Sequence, residues 1–179
     1  MQSDNKRLVL LAVLAAQAVV LSLIEHAIPT PFVFAPGAKL GLANIITLIA
    51  IYKLPLKDVA KLIVLRLLLV GFIGGTLSMI LFSLAGAILS FIGMAILYKL
   101  GGRYVSVIGI SVTGAALHNV GQLIVASIVA GTWTVLLYLP VLTIFGIASG
   151  FAIGVVANYL LQHMAKLSIF NTYKIVGES

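Results

Sequence analysis

Residues 8–26 read LVLLAVLAAQAVVLSLIEH, an apolar run close to the roughly 20 helical residues that cross the hydrocarbon of a bilayer. The rest of the chain resembles this stretch in composition. Of its 179 residues 62% are hydrophobic and 8% are charged, and the mean hydropathy is +1.24, whereas about 25% of a soluble domain is charged. Lipid is therefore the expected solvent for a single transmembrane domain over residues 1–179.

Breaks in the apolar pattern predict where helices end. The prolines at 29, 31 and 36 interrupt the chain after the first run, and glycines near 74, 101 and 131 separate later runs. The last run is long enough to tilt or to break near Pro140. The pattern predicts an all-α integral membrane protein, a bundle of six transmembrane helices at roughly 8–26, 39–53, 57–72, 76–98, 105–130 and 133–164.

The basic residues predict how these helices are oriented. Nine of the eleven fall on one side of the predicted topology, Lys39 is alone on the other side, and Arg66 lies inside the third helix. Cytoplasmic loops carry the excess of Lys and Arg, so both termini are predicted to be cytoplasmic. The net charge of +7 does not indicate nucleic-acid binding, because these cations flank apolar runs, where anionic headgroups lie. The nine are Lys6, Arg7, Lys53, Lys57, Lys61, Lys99, Arg103, Lys166 and Lys174.

Arg66 is the most informative polar residue within the predicted spans. Ionisable side chains at membrane depth are costly and usually functional, and a guanidinium group does not lose its proton. Three interpretations stay open: an ion pair with Glu25, snorkelling toward the cytoplasmic interface, or direct contact with a ligand.

Two further polar groups are candidate ligand contacts. His118, Asn119 and Gln122 lie in the middle of the fifth helix and predict either hydrogen bonds between helices or one wall of a pocket. Before the second helix, residues 36–44 read PGAKLGLAN, with Lys39 at the predicted helix start and Asn44 one turn further on. Lys39 is either a headgroup contact or a cation at the mouth of an external pocket.

The residue inventory argues against catalysis. The chain has no cysteine and four acidic residues in all. It has no carboxylate pair, no Ser-His-Asp set, no phosphate-binding glycine loop and too few acids for magnesium-dependent prenyl chemistry. We therefore expect a protein that is not an enzyme, with no metal site and no intrinsic cofactor.

Residues 13–29, VLAAQAVVLSLIEHAIP, and residues 36–48, PGAKLGLANIITL, resemble the Gx transporter family, whose members carry the label heptaprenyl diphosphate synthase component I. That family is similar to the substrate-binding S components of energy-coupling factor transporters. The resemblance implies a bacterial cytoplasmic membrane protein with an S-component-like six-helix fold and a ligand pocket near the outer face. The small residues Ala12 and Ala16 predict either helix packing inside the bundle or, as the resemblance implies, docking of the first helix to a transmembrane coupling subunit bound to ATPases.

Three functions remain open from the sequence. The first is a substrate-binding subunit that captures or translocates a small vitamin-like, flavin or isoprenoid-related molecule. Some relatives resemble a membrane subunit of flavin-based extracellular electron transfer, which implies a bound flavin or menaquinone and a flavin-bearing extracytoplasmic partner. The third is a structural membrane anchor. For the first two, the predicted ligand contacts are Arg66, His118, Asn119, Gln122, Lys39, Asn44 and Glu25.

Overall fold

The computed structural model describes residues 2–27, 41–74, 76–101 and 104–166. These residues form six α-helices and one short 3-10 helix, Trp133–Tyr138. In chain order the α-helices are α1 Gln2–Ala27, α2 Asn44–Lys53, α3 Leu56–Gly74, α4 Leu77–Gly101, α5 Val107–Ala130 and α6 Leu139–Lys166.

Local sequence signals account for several helix ends. The Ser106 side chain accepts a hydrogen bond from the Gly109 backbone N–H and caps the start of α5. Gly131, with φ +64, ends α5 in the left-handed conformation. The last predicted span is divided: a 3-10 turn precedes α6, and Pro140 lies in the first turn of α6, where its missing N–H breaks no helical hydrogen bond.

The second helix differs most from its prediction. It begins at Asn44 rather than near residue 39, because Gly41 adopts φ +82 and cannot continue a helix. Ten residues span about 15 Å, half of the hydrocarbon thickness. Eight of the ten are buried, and α2 contacts each of the other five α-helices. It is therefore a central element enclosed by protein, which explains why it is apolar on every side.

Side-chain contacts place the basic residues together at one end of the bundle. Arg7 on α1 forms an ion pair with Asp58 on α3, and Tyr52 on α2 packs edge-on against Tyr98 on α4 with ring centroids 4.9 Å apart. Lys57 on α3 and Lys99 on α4 both line one surface groove. The structure therefore places Arg7, Lys57, Lys61 and Lys99 at one end of the bundle. Two of the predicted cations, Arg103 and Lys174, lie outside the described residues, and the cytoplasmic location of that end stays a prediction.

Four helical stretches are long and apolar enough to cross a membrane among the described residues: Arg7–Ala27, Ile80–Gly101, Val107–Ala130 and Trp133–Lys166. Large apolar side chains cover the outside of the bundle, including Phe72 (88% exposed), Leu100 (81%) and Ile144 (68%). Such a surface suits lipid rather than water. The α2 and α3 helices do not meet the same criterion, α2 because it is short and α3 because it carries several charges, so the count of six spans stays a prediction.

The first prediction concerns the link between α1 and α3. The Asp58 side chain is 5% exposed and accepts from Arg7 and from Lys61 Nζ at 3.3 Å, whereas Lys61 is 72% exposed. We expect Asp58→Ala to lower the free energy of unfolding by about 1–3 kcal/mol and Lys61→Ala by less than about 1 kcal/mol. Thermal unfolding in detergent measures both, and equal losses would contradict a structural role for the Arg7–Asp58 pair.

Candidate functional site

A small polar cavity lies at the end of the bundle opposite the Arg7–Asp58 pair. Residues from five helices line it, and the turn just before α2 forms part of its wall. The residues that line it are Ser22, Glu25 and His26 from α1, Gly41, Ala43 and Asn44 at the start of α2, Arg66, Leu67, Val70 and Gly71 from α3, Ile80 and Ser83 from α4, and His118 from α5.

Arg66 is the dominant charge in this polar cavity. It is 4% exposed, and its Nη1 atom has no hydrogen-bond partner among the described residues. Glu25 supplies the opposite charge that acts on it. The guanidinium faces the end of the bundle away from the basic cluster, so it does not snorkel toward that cluster. A buried donor without an acceptor is costly, and here it belongs to a residue that lines a cavity.

Glu25 both balances Arg66 and positions the start of α2. One carboxylate oxygen accepts hydrogen bonds from the backbone N–H groups of Gly41 and Leu42, the latter at 3.2 Å. A negative charge near a helix N-terminus is favourable, so this contact holds α2 with its first turn inside the bundle. Glu25 and Arg66 both line the polar cavity, and the predicted ion pair between them stays a prediction.

Asn44 is the first residue of α2 and also faces the polar cavity. It is 5% exposed, and its Nδ2 atom has no hydrogen-bond partner among the described residues. The absence of a side chain at Gly41 makes room for it, because a Cβ there would lie 2.9 Å from Asn44 Nδ2. Two residues that line one cavity, Asn44 and Arg66, thus each have a donor atom without a partner among the described residues.

The three predicted residues of α5 have different surroundings. His118 lines the polar cavity and approaches α4 at Gly86, where a Cβ would be 2.7 Å from the imidazole ring. The amide Nε2 of Gln122 lies 3.1 Å from the imidazole Nε2 of His118. Asn119 points elsewhere and donates to the Leu142 carbonyl of α6 at 2.6 Å. Of the three, His118 lines the polar cavity, Gln122 contacts His118, and Asn119 joins α5 to α6.

Lys39 falls outside the described residues, so its predicted role at the pocket mouth stays a prediction. Sequence reasoning missed Ser22 and His26, which line the polar cavity on either side of Glu25. Their spacing was the available signal, because polar residues four apart in an apolar helix share one face. It also missed Gly86, whose only signal was its position between two alanines.

The volume of the polar cavity limits what it can hold in this conformation. It measures about 30 Å³, room for one or two water molecules, whereas sites for drug-sized ligands measure roughly 300–1,000 Å³. An apolar groove of about 350 Å³ lies beside it between α3 and α4. Within the described part of the chain no group of three His, Asp or Glu side chains is placed to hold a metal ion.

The predicted docking residues lie on the outside of α1. Ala12 and Ala16 are exposed, while Ala15 (2%) and Ala18 (0%) are buried against the bundle. The glycines at 146, 150 and 154 instead face α5, where a Cβ on any of them would come within 2.8 Å of an α5 atom. Small residues on α6 therefore serve internal packing, and those at 12 and 16 are available to a partner.

Comparison with known families agrees with the architecture. The family model for heptaprenyl diphosphate synthase component I matches residues 14–160, a range that includes every residue named above as lining the polar cavity. Neither the curated proteins nor the solved structures include a significant match. Despite the word synthase, the family consists of non-catalytic, Gx-transporter-like membrane proteins. Because the match covers most of its length, this chain belongs to the heptaprenyl diphosphate synthase component I family.

Proposed function

We propose that this protein is an S-component-like membrane subunit that binds a small molecule in the polar cavity and captures or translocates it. One observation supports the proposal most: Arg66 and Asn44 line the same cavity, and each has a buried donor atom without a hydrogen-bond partner among the described residues. Stability alone does not favour such groups, since apolar residues of similar volume pack at least as well. A ligand with hydrogen-bond acceptors would satisfy both.

The position of the polar cavity supports capture from one side of the membrane. It lies at the bundle end opposite the cations, which is the outer end if those cations are cytoplasmic. The chain carries no nucleotide-binding motif, so energy-driven transport would need a coupling subunit and separate ATPases. The small volume of the polar cavity implies that side chains or the neighbouring helices move apart when the ligand binds.

Mass spectrometry of small molecules retained by the detergent-purified protein tests the proposal. We expect wild type and Lys166→Ala, which alters an exposed residue at the cationic end, to retain the same molecule. The Arg66→Gln and His118→Ala variants should lose most of it. Equal retention by all four proteins would place the ligand outside the polar cavity.

The outward face of α1 yields a prediction about partners. Ala12 and Ala16 are exposed among apolar neighbours such as Val9 (63%) and Val13 (48%), and small residues let helix backbones approach closely in lipid. We expect Ala12→Leu to reduce co-purification with a co-expressed transmembrane coupling subunit at least several-fold. Thermal stability should be unchanged, because Ala12 is on the exposed side of α1.

A matched substitution controls for added bulk at the lipid surface. Ala148 is exposed on α6, so Ala148→Leu adds the same side chain on a different face and should leave co-purification unchanged. Equal co-purification of Ala12→Leu and wild type would remove α1 as the docking helix.

Electron transfer is the second candidate function. The feature that favours it is the apolar groove beside the polar cavity, which suits a lipid-soluble redox carrier such as menaquinone better than it suits a flavin. In this role the protein would pass electrons to an extracytoplasmic flavin partner. A retained molecule whose absorbance changes on reduction with dithionite would support this role over vitamin capture.

A further inference from the structure

The apolar groove and the polar cavity are adjacent and share part of their walls. Leu67, Gly71 and Ile80 line both. The remaining groove residues face outward, with Phe72 at 88% exposure and Leu68 at 55%, so the groove opens on the lipid-facing side of the bundle. The groove therefore leads from the bilayer, between α3 and α4, to the wall of the cavity that Arg66 and Asn44 line.

Gly71 marks a narrow point between the two spaces. A Cβ at Gly71 would lie 3.0 Å from Ile80 Cδ1, so even one methyl group would press on the α4 side chain opposite. The two helices otherwise separate along the groove, and α3 packs far less extensively on α4 than α4 packs on α5. A small displacement of the flexible Ile80 side chain would join the two spaces.

The donors and the charge balance define the polar part of a ligand. Arg66 Nη1 and Asn44 Nδ2 both donate, so the ligand must supply acceptors. The Arg66 charge is already opposed by Glu25, and the described lining residues include no second cation beyond the two histidines. An uncharged carbonyl or hydroxyl oxygen fits this balance, whereas a phosphate or diphosphate would add negative charge that nothing described there neutralises.

The two volumes agree with a molecule of that type. About 30 Å³ in the polar cavity admits an oxygen-bearing tip, and about 350 Å³ in the groove is enough for a substantial apolar body. We infer that the ligand is a lipid-borne amphiphile that enters sideways between α3 and α4, with an uncharged acceptor head at Arg66 and Asn44 and an apolar chain in the groove. This inference rests on the proposed function and specifies its ligand class.

Three probes in lipid nanodiscs test this inference. They are a benzoquinone bearing a decyl chain, the same benzoquinone with a methyl group in place of the decyl chain, and decyl phosphate. Binding is measured as probe retained per protein against empty nanodiscs. We expect the decyl benzoquinone to bind at least 10-fold more tightly than either other probe. Tighter binding of decyl phosphate, or equal binding of the two benzoquinones, would overturn the inference.

Variants locate the bound chain. Gly71→Leu closes the narrow point and Leu84→Trp fills the groove from its open side; each should weaken decyl benzoquinone binding at least 10-fold, and the second avoids the α3–α4 contact in case the first fails to fold. Ala152→Leu, on the exposed face of α6, is the matched control. Binding unaffected by Gly71→Leu and Leu84→Trp, or by Arg66→Gln, would mean nonspecific lipid occupancy and would overturn the inference.

The two proposals fail in different ways. If the protein retains a water-soluble molecule in an Arg66-dependent manner but does not bind the decyl benzoquinone, the proposed function stands and lateral access is wrong. If it retains neither, both are wrong.

Discussion

Replacing Arg66 with Gln should abolish most ligand binding. Arg66 lines the polar cavity and is 4% exposed, and its Nη1 atom has no hydrogen-bond partner among the described residues. A hydrogen bond from a charged group contributes about 1.5–3 kcal/mol, so affinity should fall roughly 10- to 100-fold. Equilibrium binding of the molecule retained by the wild type measures the loss.

Arg66→Gln also leaves the Glu25 carboxylate without its opposing charge, and breaking one side of a buried pair costs about 3–5 kcal/mol. The double variant Arg66→Gln with Glu25→Gln separates this effect from binding, because it removes both charges together. We expect the double variant to recover thermal stability close to wild type and still not bind. Recovery of binding in the double variant would show that Arg66 serves the fold and not the ligand.

Gly150→Leu should cause the largest loss of stability. A Cβ at Gly150 would lie 2.8 Å from the Cα of Val112 and 2.9 Å from the Cβ of Ala115, so a larger side chain meets the α5 backbone, which cannot rotate away. Overpacking costs about 1–3 kcal/mol where side chains can adjust, and here α5 and α6 must separate. Thermal unfolding and the yield of monodisperse protein in detergent measure the effect.

Two matched variants order the expected losses. Gly150→Ala adds only the Cβ and should fall between wild type and Gly150→Leu. Ala152→Leu adds bulk on the exposed side of the same helix and should behave as wild type. If Gly150→Leu and Ala152→Leu unfold at the same temperature, the close approach of α5 and α6 is not what holds them together.

Some residues of the polar cavity could be predicted from the sequence, because a charged side chain at membrane depth is costly and usually has a function. Arg66 and Glu25 were conspicuous in apolar runs, and both line the polar cavity. His118, Asn119 and Gln122 formed one group in the sequence, yet only His118 reaches the polar cavity, because residues one apart on a helix point about 100° apart and Asn119 faces α6.

The sequence by itself determined the solvent, the helical class and the clustering of cations, because hydropathy and charge act through composition and periodicity along the chain. Only the tertiary structure decided that α2 is a short central helix, that Asn44 shares a space with Arg66, and that an apolar groove opens beside them. Those features depend on which helices approach one another and how closely. Close approaches occur at three glycines, 41, 71 and 86, because a glycine has no side chain to hold its neighbours apart. Hydropathy and charge along the chain do not show which glycines have this role.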